Sequence, residues 1–166
     1  TVPISPVEEI VADMKAGRIV ILVDEEDREN EGDLICAAEK ITPEMVNFMV
    51  RQAGGMLCVS IEPAAALRMG LNSMVTKNEE HYKTHFTVTV DAKAGLTTGI
   101  STVERATTIR TLAAQDSQAD DFIRPGHVNP LIAKTGGVLR RAGHTEASSD
   151  LARLAGLSAT GVLIEI

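Results

Sequence analysis

Short apolar runs alternate with polar, glycine-punctuated connections along this chain, and the period of each run indicates its element. VEEIVADMKAG carries apolar residues at helical spacing, with Ser5 as the expected N-cap, Pro6 in the first turn and Gly17 as the stop. RIVILV, residues 18–23, is a β-branched run that predicts a buried strand. LICAAE predicts a second strand, leaving the polar loop of residues 24–33. Thr42-Pro43-Glu44 repeats the helix-start signal, and that helix should run to Gly54-Gly55. MLCVSI predicts a third strand, residues 63–69 a short helix, and FTVTVD, residues 86–91, alternates as a half-buried strand does. A small-residue loop at 97–101 precedes a helix over TVERATTIRTLAA. Beyond Gln115 the pattern turns polar, with Pro125 and Pro130. A short GGVL strand, the RRAGHT turn, a helix over EASSDLARLAG and a final GVLIEI strand follow. Without strict βαβ alternation or an internal repeat, this order predicts an α/β (α+β) fold, a single domain over residues 1–166 with a mixed β-sheet flanked by helices.

Composition narrows the partners. The apolar share of 44% is aliphatic, with three Phe, one Tyr and no Trp. Asp and Glu outnumber Lys and Arg by 23 to 16, so the chain lacks the positive field and aromatic platforms of a nucleic-acid binder. Cys36 and Cys58 lie in apolar runs and read as small buried thiols, neither a disulfide framework nor a zinc site. No apolar run approaches the roughly 18 residues of a membrane helix and no signal-peptide pattern opens the chain, so a cytoplasmic location is expected.

Two segments carry candidate chemistry. Residues 24–33 read DEEDRENEGD, seven carboxylates in ten positions with one Arg. Such a run is either a solvated acidic turn or a site where a cation offsets the mutual repulsion, and carboxylate oxygens suit Mg²⁺. Its position after an apolar strand resembles the ligand sites of open α/β sheets. Residues 140–147, RRAGHTEA, place small residues and backbone N–H groups before a helix. There Arg141 could contact phosphate and His144 could offer a ring nitrogen to a metal, or Thr145 could simply cap the helix with the arginines solvated.

Taken together, DEEDRENEGDLI, FTVTVDAKAGLTTGIS with ERATTI, and RPGHVNPLIAKTGGVLRRAGHTEASSDLARLAGL resemble, in order and over nearly the whole chain, the signatures of the dihydroxybutanone phosphate synthase family. The resemblance implies conversion of ribulose 5-phosphate to 3,4-dihydroxy-2-butanone 4-phosphate and formate in riboflavin biosynthesis. It implies Mg²⁺ as cofactor, with Mn²⁺ able to substitute, bound by Glu29 and His144. It assigns substrate contacts to Arg28, Glu29, Asp33, Arg141, Ala142, Gly143, His144, Thr145 and Glu165, and catalytic roles to His127 and Glu165; spacing and the family match together make Asp33, with Glu31 as the alternative, the candidate catalytic acid that takes the first proton. It further implies a homodimer with the active site at the interface, and a chain that family members continue past this point, some into a GTP cyclohydrolase II domain. His85 stands where the family has a small residue, and the polar loop 76–85 is expected to be either a surface connection or a lid.

Overall fold

A computed structural model describes residues 3–166. Five helices, α1 (Val7–Lys15), α2 (Pro43–Gln52), α3 (Pro63–Arg68), α4 (Thr102–Ala113) and α5 (His144–Leu154), surround one sheet. Its strands are β1 (Val20–Val23), β2 (Gly32–Ala37), β3 (Cys58–Ile61), β4 (Val90–Ala92), β5 (Phe122–Ile132) and β6 (Gly161–Glu165), in the order β1-β2-β6-β3-β5-β4. Only β3 and β5 run parallel; the other neighbours are antiparallel, so the sheet is mixed, as expected.

The twofold alternation of strand side chains divides the core into two layers. Leu34, Cys36, Val59, Ile61, Val162 and Ile164 point to one face and pack under α2, α3 and α4 with Val46, Met49, Ala66 and Ile109. Ile35, Ala37, Cys58, Leu131 and Leu163 point to the other, under α1 and α5, with Met14, Leu151 and Ala152. Each fully buried Ile, Leu or Met contributes about 1.5–3 kcal/mol, so both layers are needed to hold the sheet. On the second face Ser60 is completely buried; Ser148 and Ser149 of α5 both donate to its hydroxyl, at 2.8 and 2.9 Å. That knot fixes α5 against the sheet without leaving an unpaired hydroxyl.

The structure departs from the sequence expectations at several points. Pro6, not Ser5, is the N-cap of α1, because its ψ of 144° lies outside the helical range. The run at 18–23 is an edge strand rather than a buried one: β1 pairs only with β2, and Ile21 and Val23 stay exposed. FTVTVD does not form one continuous strand. Thr87 donates to Pro130 and Val88 to Asn72, so the segment divides its pairing between two neighbours, and β4 begins only at Val90, with a bulge between Val90 and Asp91.

The polar, proline-bearing stretch after Gln115 contains the longest strand, β5. Pro130 is tolerated there because its missing donor falls on the side of residues 86–87, where pairing consists of isolated bridges. GGVL is a 3₁₀ turn, with Gly136 and Gly137 at φ of 95° and 60°, conformations no strand accommodates. Finally, α5 begins at His144 itself, with Gly143 as N-cap, so His144 does not precede the helix and Thr145 does not cap it.

Candidate active site

β1 and β2 form a hairpin, and residues 24–31 are its connection, not the crossover exit of an open α/β sheet. Asp24 organises this loop. Its carboxylate accepts hydrogen bonds from the backbone N–H of Glu29 and Glu31, each at 3.0 Å, and from Arg28 at 2.8 Å. Burial alone would raise its pKa, but these bonds outweigh it and hold the carboxyl at about 2. Glu25, Glu26 and Asp27 are exposed, so the solvated-turn reading holds for the loop's tip. Its two ends turn inward.

Strand pairing sets the rest of the carboxylates. Asp33 on β2 lies directly opposite Glu165 on β6, on the face that α5 covers. The first residue of α5, His144, is buried there with Nε2 3.3 Å from the Glu31 carbonyl oxygen and 4.0 Å from Asp33 Oδ1. Asp33 is only 3% exposed and its Oδ1 has no hydrogen-bond partner. Burial pushes its pKa up to about 6, with His144 opposing and Glu29, Glu31 and Asp24 adding to the rise. Glu165 is raised too, by burial first and then by Glu31 and Asp33.

These groups open on a cleft of about 320 Å³. Its wall includes Glu29, Glu31, Asp33, Glu80, Glu165, His144, Thr145 and Arg141, over a floor with Cys58, Leu131 and Leu163. Ligand atoms of Asp24, Glu29 and His144 lie within 4.8 Å of one another, as do those of Glu29, Glu31 and Glu165. A buried carboxylate oxygen without a donor, beside hard oxygens and one imidazole, is a donor set that fits Mg²⁺ or Mn²⁺. Glu29 and His144 therefore meet as expected.

Other expected residues are not on the cleft wall. Arg28 is spent on Asp24 and Glu29, both at 2.8 Å, and lies 5.2 Å from the centre of the Tyr82 ring. Ala142 and Gly143 form the turn behind His144. His127 stands apart on β5, where Asp91 accepts from its backbone N–H at 2.8 Å and its Nδ1 at 2.7 Å, and its side chain remains 40% exposed. With Nδ1–H given to Asp91, a neutral His127 leaves Nε2 as a free acceptor.

Three contributors were not assigned from sequence. Cys58 belongs to the core as expected yet also floors the cleft; burial pushes its thiol up to about 12, which keeps it protonated. Tyr82 donates its hydroxyl to the Arg28 carbonyl at 2.9 Å, and its own carbonyl accepts from Arg141, so loop 76–85 spans the site. The only tyrosine of the chain, set in a polar loop, was a signal that could have marked it. Glu146, fully buried beside Arg141, had no such signal. His85, the unusual residue, binds Ser73 at 2.6 Å outside the cleft wall.

A mixed α/β domain with an acidic, histidine-bearing cleft at one end of its sheet is the class this geometry defines. Residues 8–166 match the model of the 3,4-dihydroxy-2-butanone 4-phosphate synthase family, and the chain belongs to that family. It is 61% identical over 160 residues to the riboflavin biosynthesis protein RibBA of Mycolicibacterium gilvum, covering 96% of this chain and 38% of that protein. RibBA of Nocardia farcinica is 58% identical, with 96% of this chain and 39% of that protein covered. The chain thus spans about two-fifths of the length of these curated relatives. A crystal structure of 3,4-dihydroxy-2-butanone 4-phosphate synthase in complex with two magnesium ions superposes with a TM-score of 0.96 at 44% identity, over 98% of this chain and 76% of that one. RibBX of A. baumannii, a two-domain 3,4-dihydroxy-2-butanone 4-phosphate synthase, gives 0.94 at 48%, over 98% of this chain and 48% of that one.

Proposed function

We propose that this domain converts ribulose 5-phosphate to 3,4-dihydroxy-2-butanone 4-phosphate and formate, as a step of riboflavin biosynthesis. The observation that carries the proposal is the convergence of Glu29, Asp33, Glu165 and His144 from three separate stretches of chain on one cleft. Glu29 and His144 would hold a divalent cation, with Asp24, Glu31 and Glu165 near enough to complete one or two sites. When bound, that ion supplies Lewis-acid stabilisation of charge developing on adjacent sugar oxygens.

The protein's own residues do the remaining work. Arg141 is the only guanidinium on a wall otherwise rich in carboxylates, so the phosphate lies at its end of the cleft, with Thr145 and the α5 N-terminus nearby. The keto and hydroxyl groups then face the carboxylates. Asp33, with one oxygen free of protein partners and a pKa of about 6, takes the proton beside the ketone to give the enediol. Loss of water, a shift of the carbon skeleton, return of one water to the C4 carbonyl carbon and departure of C4 as formate follow, with Glu165 and His127 moving the later protons. Loop 76–85 across the cleft limits access of water to these intermediates.

His127 on β5 is not among the residues that line the cleft of its own chain, and this supports a homodimer in which it reaches the partner's cleft. Free, buried Cys36 and Cys58 are in keeping with a reducing, cytoplasmic location; among the described residues no helix is long and apolar enough to cross a membrane. Incubation with ribulose 5-phosphate and Mg²⁺, with formate measured with and without EDTA, tests the reaction. Formate released only with metal is expected; none under either condition refutes it.

A further inference from the structure

Five carboxylates and one guanidinium share the cleft wall, so the place where Arg141 is held decides where an anionic ligand group can sit. Arg141 is not held by its own backbone. Its Nη1 donates to Glu146 Oε1 at 2.6 Å, while Nε and Nη2 donate to the Tyr82 carbonyl at 3.3 and 3.2 Å and Nη2 to Thr84 Oγ1 at 3.3 Å. The Glu146 contact is the short, ionic one, and Glu146 is 1% exposed. Its other oxygen accepts from the Lys134 backbone N–H at 2.7 Å, just past the end of β5, while its own backbone lies in α5, so the side chain is held at both ends independently of Arg141. Fixed at both ends, it is a rigid anchor.

Gly143 provides an independent observation. Its φ of −101° and ψ of 159° are extended values that any residue adopts, so the backbone does not require glycine. A Cβ there, however, would overlap Arg141 Nη1 and come within 2.9 Å of Glu146 Oε1. The missing side chain is clearance for the guanidinium on its way to Glu146. Without this anchor the Arg141 charge, which already acts on Glu80, has carboxylates within the cleft to swing toward.

We propose that Glu146 is a positioning residue for this site: it acts through Arg141, across the clearance left by Gly143, to hold the guanidinium where it receives the phosphate of the ligand. This deepens the reading of the cleft as a sugar-phosphate site and rests on it.

The test compares Glu146→Gln and Gly143→Ala with wild type, alone and in an Arg141→Ala background. Calorimetry gives the Kd for inorganic phosphate, kinetics give KM and kcat for ribulose 5-phosphate, and a Mn²⁺ titration reports the acidic loop. Glu146→Gln keeps an acceptor for Lys134 and loses the charge, so it should fold even where Glu146→Ala does not. The expected result is a rise of about tenfold in phosphate Kd and in KM, with kcat and Mn²⁺ affinity within about threefold of wild type. In the Arg141→Ala background neither substitution should weaken phosphate further. Unchanged phosphate affinity, additivity with Arg141→Ala, or a parallel loss of Mn²⁺ binding and kcat would each overturn the proposal. If wild type releases no formate while phosphate binding responds as expected, the reaction assignment fails and the positioning role stands.

Discussion

Removing the charge of Asp33 should stabilise the metal-free protein while abolishing its activity. Asp33 is buried, faces Glu165 across the β2–β6 pair and has an oxygen without a partner. Its carboxyl is raised from 3.8 to about 6, mainly by burial. A group whose folded pKa is raised contributes nothing unfavourable below its unfolded value, and its penalty grows as pH rises through the folded one. The window is therefore about pH 4 to 6, and a shift of roughly two units corresponds to about 3 kcal/mol at full ionisation. Urea unfolding in EDTA at steps between pH 4 and 8 reads this directly. Wild type should lose stability across the window relative to Asp33→Asn, ending about 2–3 kcal/mol less stable at pH 8. Saturating Mg²⁺ should narrow the gap, because binding to the folded state alone stabilises it and wild type has the stronger site. Equal stability of the two proteins at pH 8 in EDTA, with parallel pH profiles, would refute the assignment of Asp33 as a strained carboxylate.

Other substitutions separate the parts of the site. Glu29→Gln removes the one carboxylate common to both ligand clusters, and Mn²⁺ affinity should fall about tenfold or more in a direct titration. Mixing inactive Glu29→Gln with inactive His127→Ala under subunit exchange should restore about a quarter of wild-type formate release if each site draws on both chains; no recovery would exclude a shared site. Gly126→Ala places a Cβ onto the Val90 carbonyl carbon and the Asp91 nitrogen. It should destabilise the fold by about 2 kcal/mol or more in urea, since backbone atoms cannot move aside as side chains do.

Several elements of this protein were legible along the chain because their causes are local. Thr42 caps α2 by accepting from Met45 N–H at 3.2 Å, and Ser101 does the same for α4 from Glu104 at 3.1 Å. Gly17 ends α1 at a φ of 80°. Apolar runs at twofold or helical spacing identified β2, β3, β6 and the helices for the same reason: each repeat reflects the geometry of a single element. The acidic run and the RRAGHT turn were visible as charge and small residues, and the family signatures tied them to one chemistry.

Tertiary structure decided what depends on partners distant in sequence. RIVILV is apolar enough for a central strand, yet it lies at the sheet edge because only β2 pairs with it. β5 was hidden by its prolines and polar residues, whose acceptability depends on which neighbour stands on each side. Asp33 and Glu165 become adjacent carboxylates only through the β2–β6 register, and Glu146 becomes an anchor only when α5 carries it beneath Arg141. Local sequence determines which segments can be strands or helices and which side chains can ionise. The pairing of strands, by removing water from some carboxylates and setting them side by side, determines which of them hold a proton or a cation.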